Sequence, residues 1–214
     1  MFWLYYIGKL IVGAFFRLFT CWRVEGKENV PREGAVLVVA NHINFNDPPL
    51  LGVSLGRPVV FMAKEELFHS RFLAYFLRRL GSFPVNRGRL DRNAIRQSER
   101  VLAEGRVLVM FPEATRSRKA QLQPAFPGSA LIAGRRAVPI LPVGIAGTEK
   151  LKKSRWLFRR PRITVNIGKP FSLPKAGNKL TKEELAEHTV LIMRRIAELL
   201  PPQYRGVYGE GGKK

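Results

Sequence analysis

The stretch Ala35-Val-Leu-Val-Val-Ala40, continued by Asn41-His-Ile-Asn-Phe-Asn-Asp-Pro-Pro49, decides the fold. Six consecutive small or aliphatic residues are typical of a strand that is buried on both faces of a sheet. Asp47 followed by two prolines is typical of a helix start, so the pattern predicts a helix over 47–55. A buried strand, a polar loop and a helix in this order indicate an α/β domain.

The rest of the chain continues this alternation of strands and helices. Aliphatic runs predict four further strands, over 58–62, 106–111, 138–143 and 162–167. Helical patterns predict four further helices, over 65–80, 91–104, 128–136 and 182–200, whereas 23–34 is interpreted as a polar connection. We therefore predict one α/β domain over 23–205 with a mostly parallel central sheet flanked by helices. A helix over 1–22 is expected before it, and a flexible tail over 206–214 after it.

Composition and net charge restrict the classes of protein to which this chain can belong. Hydrophobic residues make up 46% of the 214, which is enough for a core and excludes a disordered chain. Lys and Arg number 37 against 16 Asp and Glu, a net charge of +21 that indicates an anionic partner: nucleic acid, anionic lipid or a phosphorylated substrate. One cysteine and three histidines exclude a disulfide framework, and we expect no metal site.

Two segments carry the features of membrane-binding surfaces. In a helix over 1–22, Lys9 and Arg17 share one narrow stripe, and aromatic and aliphatic side chains such as Trp3 and Phe15 surround it. This pattern favours a helix lying in a membrane interface, although the helix could instead cap the protein's own core. The second segment, 150–162, has seven basic and no acidic residues, and includes Trp156 and Phe158.

His42 and Asp47 form the first candidate catalytic pair. They follow a buried strand, at the end where open α/β sheets bind their ligands. His42 is the residue best suited to take a proton near neutral pH, and Asp47 is close enough in sequence to orient the imidazole. Such a pair without a protein nucleophile implies that a substrate hydroxyl attacks. Alternatively, Asp47 only caps its helix and His42 is a structural loop residue.

A second group of polar residues follows the strand predicted at 106–111. Arg116 offers a forked donor for a phosphate, and Thr115 and Ser117 add hydroxyl groups. Glu113 could accept hydrogen bonds from substrate hydroxyls or hold the arginine. The alternative is a solvated basic face formed by Arg116 with its basic neighbours.

Prolines interrupt the strand predicted at 138–143. Pro139 and Pro142 have no N–H to give to a ladder, so we expect this strand either at a sheet edge or as a wall shaped for another molecule.

Four blocks in this order resemble the glycerolipid acyltransferase superfamily, and most of all its bacterial 1-acyl-sn-glycerol-3-phosphate acyltransferases. The family's N-H-x4-D block is matched by Asn41, His42 and Asp47, and its G-x-F…R block by Gly81, Phe83 and Arg87. Its F-P-E-G-T-R-S block is matched except at the glycine by Phe111, Pro112, Glu113, Thr115, Arg116 and Ser117. Its V-P-I-x-P-V block is matched by Val138, Pro139, Ile140, Pro142 and Val143. The resemblance covers about residues 23 to 170.

The resemblance implies acyl transfer from acyl-CoA or acyl carrier protein to the sn-2 hydroxyl of lysophosphatidic acid, which gives phosphatidic acid. His42 would be the general base held by Asp47, and Arg87 and Arg116 would bind the acceptor phosphate. The 138–142 block would line the acyl pocket. No metal or other cofactor is implied, and the enzyme would act as a peripheral or monotopic protein on the cytoplasmic face of the cell membrane.

Three positions depart from the family pattern. Ala114 replaces a glycine that would suit close approach to a phosphate or a positive φ. Asn44 replaces a common serine, and Phe126 replaces a lysine. An acyltransferase with a different lysolipid acceptor is therefore one alternative, and a basic nucleic-acid-binding module is another. No nucleic acid is expected as partner, because the chain has no zinc-finger spacing or aromatic RNA-binding signature.

Overall fold

A computed structural model describes residues 3–86, 91–152, 154–174 and 180–209. Its seven strands are β1 (Cys21–Glu25), β2 (Val36–Ala40), β3 (Val59–Lys64), β4 (Phe83–Val85), β5 (Val107–Met110), β6 (Ile140–Ala146) and β7 (Arg162–Ile167). Its six α-helices are α1 (Trp3–Phe19), α2 (Asp47–Ser54), α3 (Arg71–Arg79), α4 (Arg92–Ala103), α5 (Gly128–Arg136) and α6 (Lys182–Glu198).

The strands form one sheet in the order β1-β7-β6-β2-β5-β3-β4. All neighbouring strands are parallel except β6 and β7. The predicted α/β fold with a mostly parallel sheet is therefore confirmed.

β2 lies in the middle of the sheet, and all five of its residues are buried. Leu37 and Val39 face one side, in a core shared with residues of α4, α5 and α6. Val36 and Val38 face the other side, in a core shared with residues of α1 and α2. Burial on both faces explains why this segment is an unbroken aliphatic run.

The prediction of a polar connection at 23–34 is wrong for 23–25, because β1 begins at Cys21 and pairs in parallel with β7, whereas 26–34 do connect β1 to β2. β1 is an edge strand whose residues alternate between exposed and half-buried, with Arg23 and Glu25 on the exposed side. Its start also ends the N-terminal helix early, since α1 stops at Phe19. At the other terminus, the expected flexible tail begins with a 3-10 turn over Gly206–Tyr208, and 210–214 lie outside the described residues.

The helix predicted over 65–80 is divided into a 3-10 turn, Glu65–Phe68, and α3. Ser70 is the N-cap of α3, and its hydroxyl oxygen accepts a hydrogen bond from the Leu73 N–H at 3.4 Å. A new N-cap two residues after the turn therefore restarts the helix.

Of the two alternatives for 138–143, a sheet edge is excluded, because β6 lies between β7 and β2. Its ladder with β7 begins at Val143, one residue after Pro142. The Ile140 N–H donates to Phe171 O, outside that ladder. The Gly168 N–H, one residue after β7, donates to the Pro142 carbonyl oxygen at 2.9 Å. Since alternate residues of a strand point their N–H groups the same way, the missing N–H of Pro142 faces this segment, and the ladder with β2 loses no bond.

Candidate active site

The carboxyl ends of β2 and β5 bring the two polar loops together. These strands are parallel neighbours, with Val39 opposite Met110. The loop from Asn41 to Asp47 therefore lies beside the loop from Phe111 to Ser117. A hydrogen bond of 2.8 Å from the Ser117 N–H to the His42 carbonyl oxygen joins the two.

His42 and Asp47 are in direct contact. The His42 Nδ1 lies 2.9 Å from Asp47 Oδ2, and the same oxygen accepts hydrogen bonds from the N–H groups of Ile43 and Asn44, at 2.6 and 2.7 Å. Asp47 is 0% exposed, and the N-cap of α2 is Asn46 rather than Asp47. Because the carboxylate holds a proton on Nδ1, Nε2 is the nitrogen able to accept one. The geometry favours an oriented base over a capping residue.

Phe111 fixes the plane of the imidazole ring. The two rings are stacked with centroids 4.3 Å apart and an interplanar angle of 24°. His42 is itself buried, so the ring has little room to tilt. Phe111 is thus part of the support for the base.

Asn41 and Glu113 hold the backbone on either side of His42. The Asn41 side chain donates to the Ile145 carbonyl at 2.8 Å and accepts from its N–H at 2.7 Å, which ties the loop to β6. Glu113 Oε1 accepts from the His42 N–H at 3.0 Å, and its Oε2 accepts from the Gln123 N–H at 2.9 Å. Both carboxylate oxygens of Glu113 thus bind backbone, while its expected contact with substrate stays a prediction.

The pKa of the Glu113 carboxyl group is unusually high. It is 2% exposed, and burial raises its pKa to about 7 despite the two N–H donors that favour the charged form. A carboxyl whose pKa is higher in the folded state than in the unfolded state stabilises the fold below its unfolded pKa. That stabilising contribution is lost as the pH rises through the pKa of the folded state.

We therefore expect Glu113→Gln to remove a pH dependence of stability. Between pH 4.5 and 7.5 the free energy of unfolding of the wild type is expected to fall by about 3 kcal/mol relative to that of the variant. Urea unfolding of both proteins across this range measures the difference, in which the other titrating groups cancel. Parallel curves for the two proteins would show that Glu113 does not titrate in this range.

Thr115, Arg116 and Ser117 line an open cavity of about 890 Å³. Arg118 and Lys119 also line it, and the described lining includes no acidic side chain. Thr115 and Arg116 are exposed, whereas Ser117 is buried and its Oγ accepts from the Gln121 N–H at 3.1 Å. The cationic side chains of Arg116 and Lys119 make this cavity suitable for an anion.

A second cavity, of about 310 Å³, lies on the other side of the same loop and is mostly apolar. Phe111, Pro112 and Ala114 line it together with side chains of β3, α4 and α5. Ala114 has φ +56°, so it does take the left-handed conformation for which the family's glycine is suited.

Sequence reasoning missed Ser129, which also lines the apolar cavity. Its Oγ is buried and has no hydrogen-bond partner in the part of the chain that the structure describes. The available signal was the Pro127-Gly128-Ser129 helix start, which places the hydroxyl in the first turn of α5.

The remaining predicted site residues do not gather at His42. Arg87 lies outside the described residues, and Phe83 is a core residue of β4. Val138 and Ile140 belong to the core or pack against it, Pro142 is buried in β6, and the Pro139 carbonyl accepts from the Leu37 N–H. None of the residues of the 138–142 block lines either cavity, so its expected place in an acyl-pocket wall is not seen there.

α1 turns its apolar side outward. Its half-buried positions include Lys9 and Gly13, and partial burial lowers the pKa of Lys9. The exposed positions include Arg17 and a group of large apolar side chains: Tyr6, Ile7, Leu10, Ile11, Phe15 and Leu18. Half of the expected basic stripe thus packs toward the domain, Phe16 joins the core, and membrane docking of the helix stays a prediction.

The second predicted membrane segment lies next to α1. The Trp156 ring is 5.8 Å from that of Phe15, and Phe158 is 92% exposed. The Trp3 side chain lies outside the described residues. Within the described ranges, no helix combines the length and hydrophobicity needed to cross a membrane.

Known proteins match both the sequence and the fold. The sequence model of the acyltransferase family matches residues 21–146. The 1-acyl-sn-glycerol-3-phosphate acyltransferase of Bacillus subtilis is 30% identical over 83% of this chain and 87% of its own length. The enzyme of the same name from Streptococcus pneumoniae is 30% identical over 71% of this chain and 58% of its own length.

A solved structure agrees with these relatives. The crystal structure of the 1-acyl-sn-glycerophosphate (LPA) acyltransferase PlsC from Thermotoga maritima superimposes with a TM-score of 0.71 and 31% identity. The match covers 91% of this chain and 79% of that one. The resemblance carried by the four sequence blocks is confirmed, and the chain belongs to the acyltransferase family.

Proposed function

We propose that the chain transfers an acyl group from a thioester to the sn-2 hydroxyl of 1-acyl-sn-glycerol-3-phosphate, giving phosphatidic acid and a free thiol. One observation carries this proposal: the Phe111–Ser117 loop lines both a cationic cavity and an apolar cavity. The same loop contacts His42 at two places, since the Phe111 ring stacks on the imidazole and the Ser117 N–H donates to the His42 carbonyl oxygen. A lysophospholipid and an acyl chain need these two environments near one base.

His42 supplies the acid–base chemistry of the proposed reaction. Its Nε2 takes the proton of the sn-2 hydroxyl while that oxygen attacks the thioester carbonyl carbon. The tetrahedral intermediate then collapses, the carbon–sulfur bond breaks, and the imidazolium returns the proton to the departing thiolate. Asp47, fixed by two backbone N–H groups, stabilises the imidazolium that forms between the two steps.

The two cavities are proposed to hold the two substrates. Arg116 and its basic neighbours bind the acceptor phosphate in the larger cavity, and Arg87 is proposed to join them on the evidence of its motif alone. The acyl chain of the thioester occupies the apolar cavity. The donor is acyl-CoA or acyl carrier protein, and no metal or other cofactor takes part.

The enzyme acts at a membrane, because both of its substrates carry acyl chains. The outward apolar side of α1 supports attachment to an anionic lipid surface, on the cytoplasmic face.

Thiol release from palmitoyl-CoA by purified protein in detergent tests the proposal. We expect release that depends on lysophosphatidic acid and yields phosphatidic acid by mass, and little release with lysophosphatidylcholine, which lacks a phosphate monoester. Arg116→Gln is expected to raise the KM for lysophosphatidic acid roughly 10- to 100-fold, the cost of a charge-assisted hydrogen bond.

Equal rates with both acceptors, together with an unchanged KM in the variant, would favour a different lysolipid as substrate. No release from either CoA or acyl carrier protein thioesters would refute acyl transfer.

A further inference from the structure

α3 is amphipathic, yet its apolar side faces away from the protein. None of its residues, all of which the structure describes, is buried. Phe72 is 75% exposed, Tyr75 52% and Phe76 45%. The helix contacts mainly the 3-10 turn that precedes it. Because exposed aromatic clusters are rare on soluble monomers, this surface indicates a partner.

The exposed side chains of α3 form one cluster. The Phe72 and Phe76 rings are 4.8 Å apart, and the Tyr75 and Phe76 rings 5.8 Å apart. The Arg79 guanidinium lies 5.0 Å from the centre of the Tyr75 ring. With Arg71 and Arg78, α3 carries three basic and no acidic residues. An aromatic patch on a helix whose own charged residues are all arginines matches the chemistry of an anionic lipid interface.

The topology places α3 on the same face of the sheet as α1 and α2. The connections from β2 to β3 and from β3 to β4 move across the sheet in the same direction. Parallel connections of this kind are right-handed, so their helices α2 and α3 lie on one face. α2 shares its core cluster with Phe16 of α1.

A side chain of α1 and a residue just after α3 both lie close to the start of β3. The Tyr5 hydroxyl of α1 accepts a hydrogen bond from the Val59 N–H at 3.3 Å. At Gly81, just after α3, a Cβ would lie 3.6 Å from the Val59 carbonyl oxygen. On the described residues of α4, α5 and α6, Val190 is the one large apolar side chain exposed to solvent. Exposed apolar surface is thus concentrated on the α1–α3 side.

We propose that α3 is a second membrane-binding helix, whose Phe72, Tyr75 and Phe76 insert into an anionic bilayer. This site adds to the proposed attachment through α1 and does not depend on the acyl-transfer reaction. α3 begins seven residues after the end of β3, so its first turn, which includes Phe72, lies at the carboxyl ends of the parallel strands, as His42 does.

Vesicle binding tests this proposal with matched variants. We measure sedimentation of the protein with vesicles of phosphatidylcholine and phosphatidylglycerol. Phe72→Ser/Phe76→Ser is expected to weaken binding about tenfold or more, because each inserted phenylalanine removes a large apolar area from water. Val190→Ser, on the opposite face, is the control and is expected to bind like the wild type. Leu10→Ser/Ile11→Ser tests attachment through α1 separately.

A single label reports the position of α3 directly. With Cys21→Ser removing the native thiol, Phe72→Cys and Val190→Cys each accept one environment-sensitive fluorophore. Vesicles are expected to shift the emission of the label at position 72 to the blue and to leave that at 190 unchanged.

Two results would overturn the proposal. One is a label at position 72 whose emission does not shift although the protein sediments with the vesicles, bound through α1. The other is a label at position 72 that is already shielded from water without vesicles, in a protein whose measured mass is that of a dimer. That result would assign the patch to contact with a second copy of the chain. Loss of binding in the α1 variant alone would leave attachment through α1 standing and refute the role of α3.

Discussion

Replacing His42 by alanine is expected to lower kcat for acyl transfer by about 10⁴-fold, the upper range for loss of a general base. No second base is in place to substitute for it among the described residues of the two loops. Both Glu113 oxygens accept backbone hydrogen bonds, and Asp47 Oδ2 accepts three hydrogen bonds behind the imidazole. The fold is expected to survive, since the bonds that hold this loop come from the His42 backbone rather than its ring.

Initial rates of thiol release at saturating lysophosphatidic acid measure this effect. His69→Ala is the matched control, because His69 is exposed and lies outside both cavities. Added imidazole is expected to restore part of the activity of the His42 variant by occupying the space left by the ring. A His42 variant that is folded and retains activity within tenfold of the wild type would show that another group accepts the proton.

The sequence predicted the fold best where burial is uniform. β2 and β5 are close to their expected bounds because aliphatic runs bury both faces of a strand. β7 matches its bounds through alternation instead, with Ile163, Val165 and Ile167 buried. β1 was missed because an edge strand mixes half-buried with charged side chains, and its partner β7 lies about 140 residues away. Pro142 suggested an edge strand where the sheet has a central one, because the effect of a proline depends on which neighbouring strand its nitrogen faces.

In the candidate site, too, local contacts could be predicted from the sequence and contacts between distant segments could not. The contact between His42 and Asp47 follows from a spacing of five residues, so local sequence could predict it. The bond from the His42 N–H to Glu113 spans 71 residues and exists because β2 and β5 are neighbours in the sheet. The orientation of α1 could not be predicted, since a basic stripe alone does not tell which side packs on the domain. The contact of Glu113 with the His42 backbone follows from the pairing of strands β2 and β5.

Replacing Asp47 by asparagine is expected to lower kcat about 10³- to 10⁴-fold with a small loss of stability, because a neutral amide neither holds the proton on Nδ1 nor stabilises the imidazolium. The amide oxygen can still accept the N–H groups of Ile43 and Asn44, which keeps the loop closed. The amide nitrogen would take the place of Oδ1, which is buried without a partner among the described residues.

Asp47→Ala is the informative comparison for this variant. It leaves the two buried N–H groups without an acceptor and is expected to cost about 2–5 kcal/mol of unfolding free energy, measured by urea titration. Because His42 and Asp47 act as a unit, His42→Ala/Asp47→Asn is expected to be no slower than His42→Ala alone. Multiplicative losses in the double variant, or an asparagine variant with nearly normal kcat, would show that Asp47 supports the loop and not the base. The stability difference between asparagine and alanine separates these two roles, since only the structural role predicts that kcat follows stability.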